Sequence, residues 1–314
     1  MSVGMLVVTL LCLLAPLTSI RVKAFKEIQS KLKKGHQMKK YYLFLLFLIC
    51  GISLPSLSGL LIFPFSMVTS QLMLEYTLIL ALIFLSLSVF LRSRQSLKSY
   101  WPILFAFFIA SFALFIDFLV YFPANTPSGF LMDMLLSASV IVSIIVILTK
   151  ISGNTLGSIF LRKGNLKLGV TVGLIGFFVF AVTAIPVAQL LFNGQNLSLD
   201  RVIAWLPWIL TIVLLNGVRE ELLYRGLFLK KYETKLGLKT SNLLQAIIFS
   251  LSHSVAGVGL SAYTPFIWAL VIFTFALGLA WGYLMQRTDS IIGSVLFHAG
   301  TDIPVFIGIF SNIF

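Results

Sequence analysis

The chain has 314 residues, of which 59% are hydrophobic and 11% are charged, and its mean hydropathy is +1.04. Soluble domains carry about 25% charged residues, so this composition excludes a soluble enzyme. The 29 Phe, 9 Tyr and 5 Trp also exclude a disordered chain, since such chains are poor in apolar rings. A helix of roughly 20 apolar residues spans a membrane, and a polytopic membrane protein is the class that remains.

Ten apolar runs divide the sequence in chain order. They fall at about 3–20, 41–63, 72–91, 101–122, 129–149, 168–192, 203–229, 242–256, 265–285 and 290–311. We therefore predict an all-α integral membrane protein, a polytopic bundle of about 8–10 transmembrane helices. The lower number applies if the first run and the short eighth run do not span. Positive charge follows the first run instead of preceding it, which favours a retained helix over a signal peptide.

The formal net charge is +13, and most of the basic residues lie on one side of the predicted bundle. Helix alternation places 20 of the 23 basic residues in the segments 21–40, 92–100, 150–167, 230–241 and 286–289. This asymmetry marks those segments as cytoplasmic. Because membrane topology accounts for the positive charge, we predict no nucleic-acid partner. Segment 21–40 is either an amphipathic helix on the anionic leaflet or a solvated loop. Cys12 and Cys50 lie in apolar runs and offer no disulfide framework.

Ionisable residues inside predicted spans are expensive, so each one is a candidate for function. The first half offers three single carboxylates, Glu75, Asp117 and Asp133. Only Asp117 lies deep in a run, and no neighbour in sequence is an obvious partner for it. A local hydrogen bond between helices is the favoured role for this residue.

The second half concentrates its charges in the segment NGVREELLYRG at 216–226, inside the seventh run. Glu221 and Arg225 are four residues apart, so they share a helix face and can pair. Glu220 points about 100° away from Glu221 around the helix. One carboxylate can therefore be held by the arginine while its neighbour faces a cavity. The alternative is a structural salt-bridge network near a helix end.

Two further pairs occur at helical spacing, and their depth matches that of Glu220. Phe249 and His253 lie on one face of the eighth run, and His298 and Asp302 on one face of the last. At about 1.5 Å per residue, Glu220, both histidines and Asp302 lie roughly 12 to 18 Å from the cytoplasmic ends of their helices. They are expected at one level near the middle of the bilayer.

A carboxylate and two imidazoles in a dry pocket can activate water for hydrolysis of an amide. Glu220 suits the general base, and His253 can share the water or move its proton. His298 and Asp302 are placed to donate hydrogen bonds to an oxyanion. Neither a serine elbow nor a phosphate-binding loop is present in the sequence, and the HExxH zinc signature is absent. Two histidines and a carboxylate nevertheless leave a zinc site open as an alternative.

These residues resemble the motifs of the CPBP family, the CAAX prenyl endopeptidase and bacteriocin-processing proteins, also called the Abi family. Its motifs EExxxR, FxxxH and HxxxN or HxxxD occur here in order, as Glu220-Glu221-x-x-x-Arg225, Phe249-x-x-x-His253 and His298-x-x-x-Asp302. The resemblance implies an intramembrane glutamate protease without a metal cofactor. By this resemblance, Glu220 and His253 activate the water, and His298 and Asp302 stabilise the oxyanion. The residues that support the site are Glu221, Arg225 and Phe249.

One position departs from the better studied prenyl proteases, which have Asn where Asp302 stands. An amide donates a hydrogen bond to an oxyanion, whereas an ionised carboxylate repels it. Asp302 must therefore be protonated, orient His298, or help to bind a metal.

The resemblance covers about 155–314, which we predict as a CPBP-like protease domain after an accessory transmembrane bundle at 1–154. The boundary falls in the polar stretch 150–167. The predicted function is an intramembrane endopeptidase in a multi-pass membrane protein, with a bacterial plasma membrane as the expected location and the site toward its cytoplasmic half. Its expected partners are lipid and a membrane-associated protein or peptide precursor as substrate, with a regulatory membrane partner also possible. A non-catalytic scaffold or bacteriocin-immunity protein with the same fold is the alternative.

Overall fold

The computed structural model describes residues 36–54, 70–120, 122–253 and 264–314. Every regular element in these ranges is helical, as the sequence predicts. The predicted first helix at 3–20 and most of segment 21–40 lie outside the described residues. Eleven α-helices are described. They are α1 (His36–Ile52), α2 (Ser70–Ser93), α3 (Trp101–Leu119), α4 (Pro127–Ile151), α5 (Leu166–Val182), α6 (Ala184–Phe192), α7 (Leu199–Glu220), α8 (Leu229–Leu236), α9 (Leu238–Ser252), α10 (Thr264–Thr288) and α11 (Ile292–Ile313).

Six helical stretches in the described ranges are long and apolar enough to cross a membrane. They are Gln71–Ser93, Lys98–Leu119, Pro127–Ile151, Leu199–Leu236, Leu270–Thr288 and Ile292–Ile313. A polytopic all-α fold is thus confirmed, although the described spans are fewer than the 8–10 expected. Helices α1 and α9 fall in two more of the predicted runs, but they have only 17 and 15 residues.

The predicted single span at 168–192 is bent, which corrects the sequence-based expectation. It divides into α5 and α6, whose axes differ by 69°, and the pair counts as a seventh span if it crosses the membrane as one. The break falls at Thr183, three residues before Pro186. In a continuous helix Pro186 would lack the N–H that bonds to the carbonyl oxygen of Val182, and its ring would clash with that carbonyl, so the proline accounts for the sharp break. The hydroxyl of Thr183 also donates to the carbonyl oxygen of Val179.

Helix α7 passes into a π-helical segment, Glu221–Gly226, before α8 begins. Ser198 caps the N-terminus of α7, and its hydroxyl accepts a hydrogen bond from the backbone N–H of Arg201. Asp200 in its first turn favours the same start, because a negative charge stabilises a helix N-terminus. π-helical turns are rare and occur frequently at functional sites.

Helix α11 is the most buried of the spanning helices and packs against α5, α7 and α10. Its crossings with α5 and α7 are close because glycines face the contacts. A side chain at Gly293 would collide with the backbone of Gly169 in α5. A side chain at Gly217 in α7 would lie 3.1 Å from the carbonyl oxygen of Val295. These close crossings hold the polar residues of α7 next to those of α11.

The first and second halves of the described chain share a hydrophobic core. Phe107 of α3 contacts Phe228 with ring centroids 4.7 Å apart. Phe47 of α1 stacks on Tyr232 of α8 at 5.3 Å. The helices before residue 155 therefore pack directly on the part of the chain that carries the three motifs.

Candidate active site

The adjacent carboxylates Glu220 and Glu221 stand at the junction of α7 and the π-helical segment. Glu221 is fully buried, whereas the Glu220 side chain keeps 16% of its surface exposed. The predicted difference between the two acids is therefore present, one enclosed and one open.

Two neighbouring side chains, Arg225 and His298, contact the same oxygen of Glu221. Its Oε1 accepts from Nη1 of Arg225, which is also fully buried, and lies 2.8 Å from Nδ1 of His298. The predicted Glu221–Arg225 pair is thus confirmed. A buried carboxylate with an arginine beside it is an acceptor only, so Nδ1 of His298 must carry the proton of that hydrogen bond.

Aromatic rings enclose the Arg225 guanidinium. Its carbon lies 4.4 Å from the ring centroid of Phe249 and 5.0 Å from that of Trp281. Phe249 is 0% exposed and Trp281 is 2% exposed. We call Glu221, Arg225, Phe249 and Trp281 the sealed cluster. Removing one member of a buried ion pair leaves an uncompensated charge, so each member depends on the others.

His298 bridges the sealed cluster and a more open group of side chains. Its ring stacks on Trp281 at a centroid distance of 4.1 Å and an interplanar angle of 9°. Because Nδ1 is bonded to Glu221, the ring directs Nε2 away from the sealed cluster. Nε2 lies 3.6 Å from Oε2 of Glu220 and 3.6 Å from Oδ1 of Asp302.

Oε2 of the buried Glu221 makes no hydrogen bond within the described residues, and Glu220, the partly exposed acid, has such an oxygen as well. Oε1 of Glu220 lies 3.4 Å from Nη2 of Arg219. Its buried Oε2 makes no hydrogen bond within the described part of the chain. A carboxylate oxygen in this state can accept a proton from a water molecule bound beside it.

Asp302 is oriented by a residue that sequence reasoning did not select. Nδ2 of Asn216 donates to Oδ2 of Asp302 at 2.8 Å, and Oδ1 of Asn216 accepts from Nη2 of Arg219 at 2.6 Å. Asn216 is buried and lies one helical turn before Glu220, a spacing that could have drawn attention to it. Its contact with Asp302 joins positions 86 residues apart, which the sequence alone does not reveal.

His253 directly follows α9, and its ring lies against Phe249. Its ring centroid is 4.4 Å from that of Phe249, and its Nδ1 is 2.9 Å from the Phe249 carbonyl oxygen. The ring is close enough to Glu220 and His298 for electrostatic interaction. We call Glu220, His253, Asp302 and the Nε2 side of His298 the open cluster.

The structure therefore brings all seven predicted site residues into two adjoining clusters. Trp281 was not predicted, and nothing in its sequence surroundings distinguishes it from the other apolar positions of α10. Across the described ranges, no three His, Cys, Asp or Glu side chains are arranged as ligands of a metal ion.

Residues 202–304 match the family described as type II CAAX prenyl endopeptidase Rce1-like. The match covers about a third of the chain and contains all three motifs. It confirms the resemblance that the motifs indicate, and over these residues the chain is similar to a family of membrane-embedded CAAX proteases. No curated protein and no solved structure matches the chain.

Proposed function

We propose that this protein is an intramembrane endopeptidase that activates water with Glu220 and His253. Its substrate is a peptide bond in a membrane-associated protein or peptide precursor. The observation that supports this function most strongly is the partly exposed carboxylate of Glu220, whose Oε2 makes no hydrogen bond within the described residues and lies 3.6 Å from Nε2 of His298. The match with a CAAX protease family agrees with it.

The open cluster suits a hydrolysis in which no covalent intermediate forms with the protein. Water between Glu220 and His253 gives a proton to Glu220 as its oxygen attacks the scissile carbonyl carbon. The carbonyl oxygen then becomes an oxyanion, which the Nε2–H of a protonated His298 stabilises. Glu220 finally returns the proton to the leaving amine as the C–N bond breaks.

His298 needs both ring protons for this role, and three carboxylates surround it. Nδ1–H is used by Glu221, so only the imidazolium has an Nε2–H to donate. Glu220 and Asp302, each 3.6 Å from Nε2, favour this charged form. We therefore assign Asp302 to the stabilisation of the His298 imidazolium rather than to direct hydrogen bonding with the oxyanion.

The proposal includes metal independence and a site that opens toward the cytoplasmic half of a bacterial plasma membrane. A zinc enzyme is the competing chemistry, with His253, His298 and a carboxylate as ligands. Cleavage by protein freed of zinc with a chelator, with metal content measured on the same sample, supports the glutamate mechanism. Loss of cleavage that stoichiometric zinc restores contradicts it.

The experiment that tests the function compares protein and peptide N-termini from membranes and medium. Cells express the wild type, Glu220→Gln or Glu75→Gln at equal levels. Glu75 is exposed on α2, where its carboxylate contacts Gln71, so it provides a matched change outside the site. We expect N-termini that disappear only with Glu220→Gln, and these also identify the substrate.

An identical set of N-termini in all three strains contradicts the endopeptidase. If Glu220→Gln and His253→Ala also keep the cellular phenotype, the result favours the non-catalytic scaffold or immunity protein.

A further inference from the structure

Two polar side chains of the first half reach the open cluster through Arg219. Nη1 of Arg219 donates a hydrogen bond to the hydroxyl of Ser137 in α4 at 2.9 Å. Asp117 in α3 lies close enough to Ser137 and Arg219 to interact electrostatically with both. Asp117 therefore has the partner that its sequence neighbours do not supply. Both residues lie outside the segment that matches the protease family.

The other end of the guanidinium faces the residues proposed to perform the reaction. Nη2 of Arg219 donates to Oδ1 of Asn216 at 2.6 Å and lies only 3.4 Å from Oε1 of Glu220. Asn216 in turn donates to Asp302. A continuous chain of hydrogen bonds thus runs from Ser137 through Arg219 and Asn216 to Asp302, with Asp117 near its first members.

A guanidinium and a carboxylate pair most strongly when two parallel N–H groups reach both carboxylate oxygens. Arg219 does not bind Glu220 in this way. Its Nη1 is occupied by Ser137, and its Nη2 is shared between Asn216 and the more distant Glu220 oxygen. The anchor in α4 thus keeps the arginine from enclosing Glu220, and Oε2 of Glu220 remains available.

We propose that Asp117 and Ser137 are positioning residues that hold Arg219 away from Glu220 and so keep Glu220 a competent base. This inference rests on the proposed endopeptidase function and gives the first half of the chain a part in it. Asp117 adds a negative charge that attracts Arg219. Without Ser137, the guanidinium turns toward Glu220 and pairs with both of its oxygens.

The test measures kcat, KM and thermal unfolding of the purified full chain in liposomes, with a substrate peptide identified from the N-termini. Ser137→Ala removes the anchor, and Ser137→Thr restores a hydroxyl at the same position. Ser139→Ala is the matched control, because Ser139 is exposed on the same helix. Asp117→Asn removes the charge with little change in shape.

We expect Ser137→Ala to lower kcat about tenfold, with KM and the unfolding midpoint unchanged, because a hydrogen bond to a charged group is lost. Ser137→Thr and Ser139→Ala keep the wild-type kcat. Asp117→Asn lowers kcat in the same direction. The Asp117→Asn/Ser137→Ala double variant loses less than the product of the two single effects, since both act through Arg219.

Two results overturn the inference while the proposed function stands. One is wild-type kcat for Ser137→Ala in an enzyme whose cleavage depends on Glu220. The other is equal loss of kcat and stability in Ser137→Ala and Ser137→Thr, which indicates a purely structural role. Absence of Glu220-dependent cleavage in the wild type instead overturns the proposed function and this inference together.

Discussion

Glu220 and Glu221 are neighbours in sequence, yet the two carboxylates occupy opposite environments. Glu221 belongs to the sealed cluster, has no exposed surface and is paired with Arg225 and His298. Glu220 belongs to the open cluster, and its side chain is partly exposed. In the proposed mechanism the two acids of the motif have different tasks. Glu221 fixes His298 through Nδ1, and Glu220 takes the proton of the attacking water.

The largest expected effect on stability comes from breaking the sealed cluster. Arg225→Leu leaves the buried Glu221 without its arginine, and we expect a loss of about 3–5 kcal/mol in the free energy of unfolding. Thermal and denaturant unfolding of the purified protein measures this loss. Arg94→Leu is the control, because Arg94 is exposed in the connection between α2 and α3. Its free energy of unfolding is expected to stay within about 0.5 kcal/mol of the wild-type value. Equal stability of the two variants contradicts the sealed cluster as a structural unit.

The role of Asp302 gives the second prediction, which concerns the open cluster. Asp302→Asn keeps an oxygen that can accept from Asn216 but removes the negative charge near Nε2 of His298. We expect kcat to fall about tenfold with KM unchanged, the equivalent of roughly 1.4 kcal/mol in the transition state. The measurement is steady-state cleavage of the identified peptide.

A rate for Asp302→Asn at or above the wild-type rate contradicts this assignment. It indicates instead that the side chain at 302 donates directly to the oxyanion, as an amide does.

The smallest effect is expected at an ion pair on the surface of the described bundle. Arg162 and Asp289 are 2.8 Å apart, and their side chains are 54% and 40% exposed. Exposed pairs contribute about 0–1 kcal/mol, so Arg162→Ala should change stability by less than that and leave kcat unaltered. Lys163→Ala is the control for loss of one positive charge in the same loop. A loss as large as that of Arg225→Leu contradicts the distinction between buried and exposed pairs.

The sequence predicts contacts at helical spacing and the class of fold, but it does not predict contacts between helices. Glu221 with Arg225, and His298 with Asp302, follow from a separation of four residues. The contacts of Arg219 with Ser137 and of Trp281 with His298 depend on how α4, α7, α10 and α11 cross. Neither hydropathy nor motif spacing contains that information.

Helix irregularities also escape the hydropathy pattern, because they arise from local backbone geometry. The apolar runs at 168–192 and 203–229 each predict one continuous helix, but the first is bent and the second contains a π-helical segment. The bend at Thr183 follows from Pro186, which is visible in the sequence but does not interrupt the apolar run. At Glu221–Gly226 the Glu221–Arg225 spacing of four residues fits both an α-helix and the observed π turn.

The most direct test of the account is the rate of peptide cleavage by purified Glu220→Gln beside the wild type and Glu75→Gln. The account predicts that Glu220→Gln loses about a thousandfold in kcat, within the range of general base catalysis, while its unfolding midpoint matches that of the wild type. Glu75→Gln should cleave at the wild-type rate. Cleavage by Glu220→Gln at the wild-type rate contradicts the claim that Glu220 activates the attacking water.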